Sequence, residues 1–316
     1  MKKRIIVHIG THKTGTTSIQ DALEAGRDVL MRRGVLYPLT NREPWPELSK
    51  HTSAFAAAKS RDPELIRREH DTLLAEFSAS GCHTMIISEE GFSEPEDYCT
   101  GFFRSLAREF EVTAVCYFRR QDLFVESLYN QFVRERTRRE ARSINQFCRA
   151  PNVRSRLKYH AILGQWQAAG IRPLALDFDQ AVRGEGLLDS FLSVTGLTGA
   201  ELAEKPSNRS PDMHLILALA RMNTMGLELE LRPLIEAARA MNERFRRPRL
   251  SHLLGSAERS RLIQEFAEEN ARLSADYGVS FSASLPQDEA VLPLTEPDPN
   301  YLLSLLALVS AKRRPQ

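Results

Sequence analysis

Cysteine is scarce in this chain. The four present, Cys82, Cys99, Cys116 and Cys148, are spread about evenly and form no C-x-x-C pair. That spacing argues against a metal knuckle or a disulfide frame, and the thiols read as free in a reducing compartment. An excess of one charge is missing too: 43 Lys and Arg stand against 41 Asp and Glu, a net of +2. Without a global positive field a dedicated nucleic-acid binder is not expected, although a local basic pocket is compatible with the balance. Long apolar runs are also lacking. Lys2, Lys3 and Arg4 precede a stretch too short for a signal-peptide core, and the late YLLSLLALVSA falls far short of the roughly 20 residues of a membrane span. The expectation is a cytoplasmic protein without a membrane span. Tryptophan occurs only at Trp45 and Trp166, and no internal repeat is visible.

What is present is globular in character. The chain has 316 residues, 42% of them hydrophobic and 27% charged, enough for one large α/β domain or two small ones with a packed core. Short apolar runs at residues 5–9, 84–88 (TMIIS), 112–118 (VTAVCYF) and 173–178 (PLALDF) read as core strands, with a shorter one ending at Pro38. Between them, residues 51–59, 63–77, 100–110, 121–134, 159–169 and 187–194 carry helical patterns. Strands alternating with helices predict a three-layer α/β/α fold around a parallel sheet of about four or five strands. Beyond residue 211 the pattern is all-helical, with helices expected at 212–225, 231–244 and 257–275. The division expected is a main domain over residues 1–283, a Pro-rich linker over 284–300 and a docking helix or tail over 301–316.

The chemistry concentrates in residues 4–20, RIIVHIGTHKTGTTSIQ. A strand, a loop bounded by Gly10 and Gly15, and a helix beginning at Thr16 bring unpaired backbone N–H groups and a positive helix end to one point, which is a phosphate cradle. Thr14, Thr16, Thr17 and Ser18 add hydroxyls and Lys13 a point charge. A Walker A loop would place its lysine directly after the second glycine. Here Thr16 follows Gly15, and the lysine stands two residues earlier.

The stretch HKTGTTSIQ resembles the 5′-phosphosulfate loop of sulfotransferases that use 3′-phosphoadenosine 5′-phosphosulfate (PAPS). The strand VTAVCYF delivers Arg119 and Arg120 to a strand end, and Ser127 lies about two helical turns further on. Arg119 and Ser127 are similar to that family's 3′-phosphate motif, with Gln121 where the family often has proline. A guanidinium forks onto a terminal phosphate, and a hydroxyl donates to a third oxygen. The resemblance covers the organisation of roughly the first 200 residues. It implies an architecture related to P-loop nucleotide enzymes and a sulfuryl transfer from PAPS to a hydroxyl or amine, with carbohydrate acceptors ahead of small phenols or lipids. No metal bridge is demanded, because the transferring group carries less charge than a terminal phosphoryl.

Such a transfer needs a base, charge stabilisation on the leaving phosphate, and in-line positioning. Lys13 is the candidate for the leaving phosphate. Ser88-Glu89-Glu90 resembles the S-x-E that bacterial carbohydrate sulfotransferases place after the second core strand, and Glu90 is preferred as base over Glu89. His12 and His51 are rival bases whose simpler reading is structural or surface. Arg209, between Pro206 and Pro211, is the candidate for a late basic loop over the 3′-phosphate. The basic run at Arg134, Arg136, Arg138, Arg139 and Arg142 reads as a solvated face, or as a bias toward an anionic acceptor. Trp166 reads as core and Trp45 as a possible stacking surface. Two other readings stay open: an ATP-dependent phosphotransferase, with Asp177 as its nearest Walker B candidate, and a non-catalytic nucleotide-binding protein.

Overall fold

The computed structural model describes residues 2–11, 13–44, 49–203, 211–226, 230–244, 250–284 and 297–312. In chain order the first elements are β1 (Arg4–His8), α1 (Thr16–Ala25), α2 (Arg27–Arg32), β2 (Val35–Leu36), α3 (Thr52–Ser60), α4 (Pro63–Ala79) and β3 (Thr84–Ser88). A 3₁₀ turn over Glu90–Ser93, α5 (Tyr98–Glu109), β4 (Glu111–Phe118), α6 (Gln121–Arg134), α7 (Ile144–Arg149) and α8 (Pro151–Arg154) follow. Next come α9 (Tyr159–Ala168), β5 (Arg172–Asp177), α10 (Phe178–Arg183), α11 (Leu187–Thr195), α12 (Met213–Thr224) and α13 (Leu231–Arg244). The last are α14 (Ser256–Glu265), α15 (Ala267–Tyr277) and α16 (Pro299–Lys312).

The chain folds as two compact units that interleave in sequence. The first takes residues 1–120, 155–207 and 266–281; the second takes 121–154, 208–265 and 282–316. The first contains the expected sheet, five strands in the order β2-β3-β1-β4-β5, all parallel. Alternation along each strand sends neighbouring side chains to opposite faces. On one face Ile5, Val7, Met85, Ile87, Ala114 and Cys116 pack under α3, α4, α5, α9 and α15. On the other, Ile6, Ile86, Val115 and Tyr117 pack under α1, α2, α10 and α11. Three layers result, as the alternating pattern requires, and Trp166 and Ile162 lie in the first core together. The four cysteines are free.

The second unit is helical, built from α6, α7, α8, α12, α13, α14 and α16. The helix expected over 257–275 is two: α14 ends at Glu265, and α15 starts after Phe266, which serves as its N-cap at φ −105°. Phe266 is buried, and α15 belongs to the sheet unit whereas α14 does not. The short helices α7, α8 and α10 lie in stretches where no helix was expected. Ser143 builds a reciprocal capping box with Gln146 at α7, and the Asp177 side chain accepts from the Asp179 and Gln180 amides at α10. No helix among the described residues is long and apolar enough to cross a membrane.

Candidate functional site

The sheet order decides where a ligand can lie. The connection from β1 runs over β3 to the edge strand β2, whereas the connection from β4 runs the other way to β5. The carboxyl ends of β1 and β4 therefore flank a topological switch point, the place where open parallel sheets open a crevice. The glycine loop leaves the end of β1, Arg119 follows β4, and Glu89 and Glu90 follow β3 on the other side of β1.

The loop is tied down from within. The Thr11 hydroxyl donates to the Tyr117 carbonyl at 2.8 Å, and the Thr14 hydroxyl donates to the Thr11 carbonyl at 2.7 Å. The Thr16 hydroxyl faces that same carbonyl at 3.5 Å. Thr14 and Thr16 are both buried, and their hydroxyls take part in holding the loop together. Thr17 is exposed and Ser18 half-buried. Gly10 has no room for a side chain, because a Cβ there would lie 2.4 Å from Thr16 Oγ1. Gly15 is left-handed at φ +69°, and a Cβ would strike Leu187. Lys13 also takes a left-handed backbone, φ 66°, which a non-glycine residue seldom adopts without a surrounding reason. Gly15 caps α1 without any side-chain hydrogen bond, and the first turn of the helix holds no acid of its own.

Under the loop sits a side chain that sequence reasoning read only as part of a strand. His8 is fully buried, its Nδ1 is 2.9 Å from Ser88 Oγ, and Gln20 Nε2 donates to that same oxygen at 3.0 Å. His8 and Gln20 thus converge on one serine oxygen. Burial lowers the His8 pKa to about 4, opposed by the Glu90 carboxylate nearby. The imidazole is neutral at ordinary pH. A lone apolar-strand histidine carries no sequence signal for this; only the neighbouring Ser88 could have hinted at it.

The two acids after β3 divide their work. Glu89 is buried, its carboxylate accepts from the Gly91 amide at 3.3 Å, and Lys50 Nζ lies 3.8 Å away. It caps the 3₁₀ turn. Glu90 is half-buried and lies within electrostatic reach of His8. His51 is buried as the N-cap of α3. Its Nδ1 accepts the Ser88 amide at 3.1 Å, and burial together with the Arg42 charge lowers its pKa to about 3. It joins the loop before α3 to the end of β3.

Arg119 is half-buried. Its Nε donates to Asp179 Oδ2 at 3.2 Å, and its guanidinium lies 5.6 Å from the Phe178 ring centroid. Asp177 caps α10 at the end of the edge strand β5, and burial raises its carboxyl pKa. β4 separates it from β1, so about 10 Å of sheet lies between Asp177 and the glycine loop. Ser127 falls on α6, in the second unit, and is half-buried there. His12, Trp45 and Arg209 lie outside the described residues. In the basic run, Arg138 pairs with Glu135 and Arg142 with Glu140, while Arg134 folds back onto Asn130. Among the described residues no group of three or more His, Cys, Asp or Glu is placed to hold a metal ion. Neither a scan of protein-family models nor a search of curated proteins finds a match to the chain.

Proposed function

We propose that the protein is a PAPS-dependent sulfotransferase with a hydroxyl- or amine-bearing acceptor, a carbohydrate ahead of other classes. The observation that carries the reading is the glycine loop at the switch point, with Lys13 ahead of the second glycine in a left-handed turn and a helix start with no acid in its first turn behind it. Backbone donors there suit an anion, and a lysine rising from the loop rather than from the first helical turn suits a leaving 5′-phosphate. The half-buried Glu90 on one side and Arg119 on the other fit a base and a second phosphate contact.

In this reading Glu90 takes the proton of the acceptor hydroxyl as its oxygen bonds to sulfur. The bridging S–O bond breaks, its electron pair stays on the phosphate of adenosine 3′,5′-bisphosphate, and Lys13 neutralises that charge. Arg119 holds the 3′-phosphate. Its present ion pair with Asp179 keeps the guanidinium at the β4 end and gives way to, or is shared with, the stronger anion. The ATP-phosphotransferase reading is weakened by Asp177, whose carboxylate is committed to the α10 cap two strands from the loop. Calorimetry with adenosine 3′,5′-bisphosphate, ATP and GTP tests the proposal. Binding of the bisphosphate in preference to both triphosphates is expected; tighter ATP binding in the presence of magnesium overturns it.

A further inference from the structure

Beyond the ends of β2 and β3, at the same edge of the sheet, lies a buried arginine with two idle donors. Arg42 is 2% exposed. Its Nη1 meets Glu24 Oε2 at 2.7 Å, and its guanidinium carbon is 5.1 Å from the Tyr37 ring centroid. Among the described residues its Nε and Nη2 find no hydrogen-bond partner. Those two nitrogens form the side edge of the guanidinium, the pair of parallel N–H groups that matches two oxygens of a carboxylate, sulfate or phosphate. A buried charged donor without an acceptor is costly, and such groups in folded proteins call for a specific explanation.

The neighbours point the same way. Tyr37 packs edge-on against His51, ring centroids 5.1 Å apart, so Arg42 and His51 share one aromatic support. His51 is tied through Nδ1 to the Ser88 backbone, and backbone hydrogen bonds at Ser88 and Pro38 hold its ring in place beside Tyr37. Asn41, left-handed at φ 65°, uses its amide nitrogen on the Glu69 carbonyl and carboxylate, while its Oδ1 accepts nothing. Asn41 is engaged with Glu69 on α4, whereas Arg42 meets Glu24 on α1, so the oxyanion donors are those of Arg42. Glu43 and Pro44, which follow directly, are exposed. His51 also bonds through its own amide to the Ser88 carbonyl at 3.0 Å, one residue before Glu89 and Glu90.

We infer that Arg42 is an oxyanion anchor for the acceptor: the acceptor is a hydroxylated molecule carrying a carboxylate, sulfate or phosphate, held by Arg42 Nε and Nη2. The assignment of this anion to the acceptor rests on the transfer reading above; the anion site itself does not. A purely structural Arg42 would be an ion pair to Glu24 packed on Tyr37, and it would not respond to anions.

The test uses the full chain and reads the Arg42 Nε–H resonance by NMR, assigned by its loss in Arg42→Lys. D-glucuronate, inorganic sulfate and inorganic phosphate are titrated separately, with D-glucose as the neutral control. A saturating shift with one or more anions, and none with glucose, is expected, and the responding arm identifies the anion. Because the probe reports locally, anion binding in the glycine loop does not mimic it, and failure of nucleotide binding would overturn the transfer reading without touching this result. Arg42→Met is the second variant, of similar length and without charge. It should fold, keep its nucleotide affinity and lose anion affinity by about 10–100-fold, read by anion-dependent thermal shift. No shift with any anion, or an equal shift with glucose, overturns the inference. So does a thermal response to anion that survives unchanged in Arg42→Met.

Discussion

Lys13 spends backbone energy to stand where it does, since φ 66° is comfortable for glycine and costly for a side chain. Its replacement by alanine keeps that cost but removes the ammonium. We therefore expect Lys13→Ala to fold and to lose about 10²–10³ in turnover, the usual worth of one group acting on transition-state charge. Glu90→Gln should lose about 10²–10⁴ with nucleotide affinity barely changed. Glu89→Gln is the informative control. It keeps an acceptor for the Gly91 amide, so it should retain most turnover. Normal turnover in Glu90→Gln would remove the carboxylate from the mechanism. The two buried histidines make a separate prediction about pH. The folded state refuses protons that the unfolded chain accepts below about pH 6.5, so their contribution to stability is complete above that pH. It declines as pH falls toward about 4 for His8 and about 3 for His51. Each histidine adds a slope of about 1.4 kcal/mol per pH unit in that window. Urea unfolding at pH 7 and 5.5 should show wild type losing about 1–2 kcal/mol more than His8→Asn. Equal losses would mean that His8 takes up its proton in the folded state.

The helices α6 and α14 are joined by charge rather than by apolar contact alone. Arg259, fully buried, donates to Asp122 and Glu126 at 2.7 Å each, and Glu126 also accepts from His252 and from the Leu253 and Leu254 amides. Burial alone would raise the Glu126 carboxyl pKa, yet His252, Arg259 and the Leu254 amide hold it below the usual carboxylate range. Arg259→Met strands two buried acids and should cost about 3–5 kcal/mol in urea unfolding. Adding Asp122→Asn and Glu126→Gln should recover part of that, because the uncompensated charge is gone. A cost below about 1 kcal/mol for the single variant would show that the acids find water. None of this was legible in the sequence, where Asp122 and Glu126 are ordinary acids of one helix and Arg259 lies far from both. The strands were legible because runs such as TMIIS and VTAVCYF are apolar on both faces, a pattern that parallel sheets alone demand. The break at Phe266 was not, since the apolar spacing continues through it and only the packing of α15 onto the sheet unit separates the two helices. Likewise the glycine loop could be read from its spacing, whereas Arg42 could not: an arginine between Asn41 and Glu43, in a stretch with Pro44 and Pro46, looks solvated until its burial is known.

At the scale of the molecule, the sheet itself is the measuring device. The parallel order sets the ends of β1 and β4 side by side, about 4.8 Å apart across the ladder, so the glycine loop and Arg119 leave adjacent strand ends. A ligand with a phosphate at each end can engage both; a ligand with one phosphate engages the loop alone. Adenosine 3′,5′-bisphosphate should therefore bind more tightly than adenosine 5′-monophosphate, by about 10–100-fold for one charge-assisted contact. Thermal unfolding gives the same comparison, because a ligand specific to the folded state adds about 2.7 kcal/mol at one hundred times its dissociation constant. Arg119→Met closes the cycle. It leaves the loop, Lys13 and the α1 end intact, so the monophosphate should bind as before while the bisphosphate falls to its level. The loss of the Asp179 ion pair is a small cost at a half-exposed position and acts on both nucleotides alike. If the bisphosphate keeps its advantage in Arg119→Met, the second phosphate is read elsewhere. If wild type does not distinguish the two nucleotides, the ends of β1 and β4 hold a single phosphate and the transfer reading loses its donor.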